Sequence, residues 1–260
     1  MRKEISAGVA ALDRGDNATA LRIFSYLAQE GNADAQFRLG WMYARGSGVP
    51  QDRSEALKWY QLSALQGCGD AQVALAFIYS IGSSVPQDYT EAAKWYRLAA
   101  EQGLAKAQFT LGAMYDYGDG VPQNCKEAMK WYRLAAEQGD ADAQFSLGNS
   151  YQAGQGIAED YTEAVRWTEA VKWWRLSAQQ GFAEAQNNLA LAYENGLGVP
   201  QNYVEAHMWW NIAASIIMGD NNKMYLDRRD EVAANMTPAQ IAEAQAMARK
   251  CQASNFKQCD

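Results

Sequence analysis

The chain is poor in the residues that metal and covalent chemistry need. Its 260 residues include one histidine, His207, and four cysteines, Cys68, Cys125, Cys251 and Cys259, with no Cys-x-x-Cys pair. That set lacks the ligand spacing of a zinc site, so no metal and no cofactor are expected. No Gly-x-Ser-x-Gly elbow supplies a nucleophile. A single imidazole at a variable position reads as packed or surface side chain, and no enzyme is expected. Positive charge is also short: 23 Lys and Arg stand against 30 Asp and Glu, a net charge of −7. Nucleic-acid binding rests on neutralising phosphates with basic side chains, so nucleic acid is not an expected partner. No apolar run approaches the roughly 18 to 20 residues that cross a bilayer. The longest, 212–218, is broken by Ala and Ser. The charged start Met1-Arg2-Lys3-Glu4 lacks the apolar segment of a secretory signal, which leaves export open.

What is present is a repeat. Pro50, Pro86 and Pro122 are 36 residues apart, as are Gly31, Gly67, Gly103 and Gly139. At that period 17 of the 21 glycines fall on four positions, which composition alone would not produce. The chain divides into an N-terminal capping segment 1–14 and repeats 15–50, 51–86, 87–122 and 123–158. A longer 159–200, a degenerate 201–236 and a C-terminal cap 237–260 follow. Tyr43, Tyr79, Tyr115, Tyr151 and Tyr193 share one position and Trp59, Trp95, Trp131, Trp173 and Trp209 another, and both are read as core anchors. In the first repeat Ile23 replaces the tryptophan.

Each repeat reads as two helices. Asp88 precedes Glu91 by three residues, an N-cap with an acid in the first turn. The pair recurs as Asp52/Glu55, Asn124/Glu127, Asp160/Glu163 and Asn202/Glu205. Ala92, Trp95, Tyr96, Ala99 and Ala100 follow at helical spacing up to Gly103, which predicts helix A over 89–102. Ala107, Leu111, Met114 and Tyr115 predict helix B over 105–117, with Gly112 allowing close approach and Gly118-x-Gly120-Val121-Pro122 ending it. No segment alternates with the period of a half-buried strand. Thr237-Pro238-Ala239-Gln240 predicts a last, capping helix through about Lys250.

The string Glu-Ala-x-Lys-Trp-Tyr-Arg-x-Ala-Ala-Glu-Gln-Gly, continued by Ala-Gln-x-x-Leu-Gly-x-Met-Tyr and Gly-x-Gly-Val-Pro-Gln, resembles the Sel-1-like repeat, a relative of the tetratricopeptide repeats. The resemblance covers about residues 15 to 215. It implies an all-α fold, a right-handed α/α superhelix of about five to six helix-turn-helix repeats closed by a C-terminal capping helix. It also implies a groove lined by A helices, used by bacterial members as a scaffold for other proteins. Cysteine-rich relatives linked to β-lactams carry a cysteine pair per repeat, and this chain does not.

Three features lie outside the scaffold pattern. Lys94, Arg97, Lys130, Arg133, Lys172 and Arg175 share one face of successive A helices. They form either a basic ladder for an extended partner segment or intrahelical pairs such as Glu91 with Lys94 and Arg97 with Glu101. Residues 162–167, Thr-Glu-Ala-Val-Arg-Trp, are nearly copied by 168–173, which lengthens the fifth repeat to 42 residues. Six helical residues turn a face by about 240°, so Trp173 is expected in the core and Trp167 out of phase. The copy is either a tolerated extra turn and a half or a ridge for a partner or for self-association. Cys251 and Cys259 are expected to close a short disulfide loop, which favours a periplasmic or secreted location, while Cys68 and Cys125 stay free. The expected function is a protein–protein interaction scaffold. An immunity or inhibitor partner of a secreted toxin is the alternative, with a β-lactam-active enzyme as the outlying reading.

Overall fold

A computed structural model describes residues 2–157, 161–217 and 222–259, and these contain fourteen helices and no strand. The chain divides into two compact parts, Met1–Gln123 and Asn124–Asp260. The first holds α1 (Arg2–Asp13) and three helical hairpins: α2 (Asn17–Gln29) with α3 (Ala33–Arg45), α4 (Arg53–Leu65) with α5 (Gly69–Ile81), and α6 (Tyr89–Glu101) with α7 (Ala105–Tyr117). The second holds the hairpin of α8 (Cys125–Glu137) and α9 (Ala141–Ala153), then that of α10 (Glu163–Ala178) and α11 (Ala183–Asn195). It ends with α12 (Tyr203–Ile216), α13 (Asn222–Ala233) and α14 (Pro238–Ala253). The bounds of α6 and α7 agree with the 89–102 and 105–117 read from spacing.

Local chemistry sets these ends. The side chains of Asp52, Asp88, Asn124 and Asn202 accept backbone N–H groups of the first turns of α4, α6, α8 and α12. Each satisfies donors that the helix leaves unpaired. Asp160 lies outside the described residues, and Thr162 caps α10 instead. Thr237 and Gln240 form a reciprocal capping box on α14. At the other end of helix B, Gly118 has φ +81° and Gly120 φ +69°. A Cβ on Gly120 would lie 2.1 Å from the Tyr89 carbonyl oxygen, so the loop after α7 lies directly on the start of α6. These Gly-x-Gly loops follow helices and close hairpins rather than precede helices to cradle phosphate.

The core is built of small residues and leucines. Ala56, Ala92, Ala128, Ala170 and Ala206 recur at one buried position, and Leu39, Leu75, Leu111, Leu147 and Leu189 at another. Gly40 and Gly148 admit a large ring at close range. A Cβ there would meet Tyr60 at 2.9 Å and Trp174 at 2.6 Å respectively. The aromatic position after the tryptophan is therefore the deeper anchor, held by Tyr60, Tyr96, Tyr132, Trp174 and Trp210, all buried. This corrects the reading of both aromatic series as uniform core: Trp131, Trp173 and Trp209 are buried, whereas Trp59, Trp95, Tyr43 and Tyr79 are only half-buried.

Candidate partner-binding face

On each regular A helix the residues that the core does not use form a repeating group. Lys94, Lys130 and Lys172 are exposed and pair within their own helices, with Glu91 at 2.8 Å, Glu127 at 3.6 Å and Glu169 at 3.6 Å. The Glu91 hydrogen bond holds the Lys94 ammonium above its ordinary pKa. Exposed pairs of this kind contribute little to folding and leave the ammonium free to exchange partners. The arginines behave differently. Arg97 donates to the Tyr115 hydroxyl, Arg133 to that of Tyr151, and Arg175 to that of Tyr193 at 2.6 Å. Each guanidinium also sits over its tyrosine ring, at 5.5, 5.9 and 5.8 Å from the centroid. Burial pushes the Tyr151 phenol above its ordinary value, and the nearby Arg133 charge pulls the other way. Helix B thus fixes the arginines, and the Arg97–Glu101 pairing considered from spacing is not how Arg97 is held.

One member of this face is not among the residues singled out from the sequence. Leu62, Leu98, Leu134 and Leu176 occupy one repeat position and are 47%, 43%, 38% and 40% exposed. Each lies four residues after the ladder lysine, one turn along the same side of the helix. The signal was present in the leucine that recurs three residues after Trp59, Trp95, Trp131 and Trp173, but spacing alone does not tell an exposed leucine from a buried one.

In the second part a cavity of about 480 Å³ opens on this face. Lys126, Met129, Lys130, Arg133 and Leu134 of α8 form one wall, and Tyr151 of α9 with Ile157 and Tyr161 form the other. Sequence reading placed Lys130 and Arg133 here but missed Lys126, Met129 and the aromatic wall. Lys172 and Arg175 belong to the next A helix and do not line it.

The duplicated segment adds less helix than a turn and a half. The register of α8 would start the fifth A helix at Trp167, and α10 starts at Glu163, one turn earlier. Trp173 is buried and Trp174 is 1% exposed, with its indole N–H donating to Asn149 at 3.0 Å. Trp167 is half-buried, its ring edge-on to Trp174 at 6.1 Å between centroids. The extra turn packs on one side only: Arg166 lies against Gly154, while Glu163, Ala164 and Val165 are exposed.

At the C-terminal end Cys251 and Cys259 are joined by a disulfide, and both are buried. Its loop carries Phe256, whose ring lies over Gly181. Cys68 and Cys125 are free and half-buried. A serine–lysine spacing that sequence reading passed over, Ser254 to Lys257, sits in this loop. Its hydroxyl is taken up locally, donating to the Cys251 carbonyl at 2.7 Å and accepting from the Gln258 N–H at 2.9 Å. His207 is buried, and burial followed by the charge of Arg229 holds its pKa below the ordinary value. Among the described residues no group of three or more His, Cys, Asp or Glu could hold a metal ion, and no helix is long and apolar enough to cross a membrane.

Comparison with curated proteins gives no match. Among solved structures, one similar chain is c5321, a protective antigen of uropathogenic Escherichia coli strains with an SLR fold. It is 34% identical with a TM-score of 0.76 over 92% of this chain and 50% of that one. The present chain thus spans half the length of that relative. A Sel1 repeat protein from Oxalobacter formigenes is 29% identical with a TM-score of 0.74, over 87% of this chain and 96% of its own. An immunity protein of Pseudomonas aeruginosa, Pa5087, is 21% identical with a TM-score of 0.41, over 83% of this chain and 74% of its own. The Sel1 repeat model matches residues 33–68, 69–104, 105–140, 141–182 and 183–215, each match running from a helix B through the following helix A. With five such matches over most of its length and an all-α repeat fold, the chain belongs to the Sel1 repeat family.

Proposed function

We propose that this chain is a non-catalytic scaffold that binds a partner protein, or a peptide segment of one, on the exposed face of its A helices. Sel1 repeat proteins generally mediate protein–protein interaction. The observation that carries the reading here is the recurrence of an exposed leucine beside an exposed lysine in successive repeats: Leu98 with Lys94, Leu134 with Lys130, Leu176 with Lys172. A solenoid needs neither group for its core, and scattered single leucines would carry no weight, but a periodic set does. Apolar contact from the leucines and charge steering from the lysines suit a segment that mixes apolar and acidic residues. The arginines, fixed by tyrosines, offer donors of set direction. The cell envelope of a bacterium is the proposed location, supported by the Cys251–Cys259 disulfide, which persists in oxidising compartments.

Affinity capture with the folded chain, followed by mass spectrometry and reconstitution with the purified partner, tests this. A partner lost when Leu98, Leu134 and Leu176 are changed to serine supports the reading. A partner bound equally well by that variant places recognition elsewhere.

A further inference from the structure

The cavity beside α8 differs from the rest of the face in origin and in charge. After α3, α5, α7 and α11 the chain runs through Val-Pro-Gln at 49–51, 85–87, 121–123 and 199–201. In each the glutamine amide donates to a carbonyl seven residues earlier: Gln51 to Ala44, Gln87 to Ser80, Gln123 to Asp116, Gln201 to Glu194, all at 2.7 to 2.8 Å. The corresponding stretch after α9 reads Ile157-Ala158-Glu159, which has neither proline nor glutamine. Tyr161 instead lies beside Tyr151, 6.4 Å between ring centroids, and forms a wall of the cavity.

Among the described residues three cations, Lys126, Lys130 and Arg133, line this space and no carboxylate does. Glu127 of the same helix and Glu169 are each paired with a lysine. The chain as a whole carries −7, so a local cluster of three positive groups is against its average. The volume of about 480 Å³ falls in the range of specific pockets, about 300 to 1,000 Å³. Two other cavities, of about 200 and 160 Å³, have one cation and none.

We propose that the cavity is the anchor pocket for an acidic residue and its apolar neighbour in a linear segment of the partner protein. The carboxylate meets Lys126, Lys130 and Arg133, and the apolar side chain lies on Met129 and Leu134 between the two tyrosine rings. The fifth repeat's departure from the Val-Pro-Gln pattern then has a role, since Tyr161, beside that departure in sequence, lines the pocket. This proposal rests on the reading that the A-helix face is the partner surface and names the point on that face where binding is concentrated.

The test is a titration of the whole chain with an end-blocked hexapeptide of alternating glutamate and leucine, its glutamine–leucine counterpart, and inorganic phosphate. The chains compared are the native one, Lys126→Glu/Lys130→Glu, Tyr161→Ala, and the charge-matched Lys106→Glu/Lys223→Glu, exposed and away from both the cavity and the A-helix face, each with an unchanged circular dichroism spectrum. The proposal expects saturable binding of the acidic peptide, weakened at least tenfold by the first two variants and less than twofold by the third. Equal loss in all three overturns the pocket. Equal binding of the glutamine peptide, full competition by millimolar phosphate, or no binding of the acidic peptide also overturns it, while partner capture decides the broader reading separately.

Discussion

The side-chain amide of Gln180 donates to the side-chain carbonyl of Gln144 at 2.9 Å, across the boundary between two repeats. Gln144 in turn donates to the Ala136 carbonyl at 3.1 Å. The same relay joins Gln66 to Gln36 and Ala28, and Gln102 to Gln72 and Ala64, so within each compact part a partly buried polar contact passes between repeats. Gln186 donates to Ala178 but its carbonyl oxygen is buried without a partner, because Ile216 stands where the next glutamine would be.

An unsatisfied buried acceptor costs about 1 to 3 kcal/mol. Ile216 itself is 37% exposed, so little apolar burial is lost by changing it. Ile216→Gln is expected to raise stability by about 1 kcal/mol in urea denaturation, and Gln144→Leu, which removes the buried donor to the Ala136 carbonyl, to lower it by about 1 kcal/mol. No gain from Ile216→Gln would mean that the relay ends without cost.

The packing of α10 predicts unequal roles for its tryptophans. Trp174 is enclosed and hydrogen-bonded, whereas Trp167 is half-buried on its edge. Trp174→Ala should cost about 3 to 5 kcal/mol by opening a cavity, and Trp167→Ala about 1 kcal/mol. Chemical denaturation of both variants checks the order, and a reversed order would move the register of the fifth repeat.

Much of this fold was legible in local sequence because its signals act locally. A cap oxygen such as that of Asp88 bonds its own first turn, and Gly118 ends its own helix, so α6 and α7 could be bounded without tertiary knowledge. Contacts between helices were less accessible. Arg97 sits four residues from Glu101 but bonds Tyr115, eighteen residues away, since a buried phenol beside it is a better-placed acceptor than an exposed carboxylate. The depth of Trp174 relative to Trp173 depends on the space that Gly148 leaves on another helix. The cavity was hidden for the same reason: Ile157 and Tyr161, which line it with side chains of α8 and Tyr151 of α9, flank a departure from the repeat that does not itself show which groups come together.

A pH dependence follows from His207, which is packed in α12 with Arg229 and Asp230 of α13 as its charged neighbours. Its pKa is lowered in the folded chain, by burial first and by Arg229 second, against the pull of Asp230. The unfolded chain therefore takes up the proton first. Stability from the neutral imidazole is complete above about pH 6.5 and is lost as pH falls below it. Thermal melts between pH 7 and 5 should fall more steeply for the native chain than for His207→Gln. Parallel slopes would show that His207 does not contribute.

The disulfide predicts a thiol count. In denaturant without reductant, protein from an oxidising compartment should show two reactive thiols, Cys68 and Cys125, and four after reduction. Cys251→Ser/Cys259→Ser should cost about 2 to 3 kcal/mol on the chain-entropy estimate for so short a loop. Four reactive thiols before reduction would remove the support for an envelope location.

Recognition of a partner by the A-helix face, in place of mere solvated surface, is the proposal on which the rest depends. It is tested most directly by titrating the reconstituted partner against the native chain and against Lys94→Glu/Lys130→Glu/Lys172→Glu, at low and high salt, with the thermal transition of each recorded. At least a tenfold loss of affinity is expected in the variant, about 1.4 kcal/mol, with native binding that weakens with salt, while the transition barely moves because exposed pairs contribute about 0 to 1 kcal/mol. Affinity unchanged by the three reversals at both salt concentrations would contradict it.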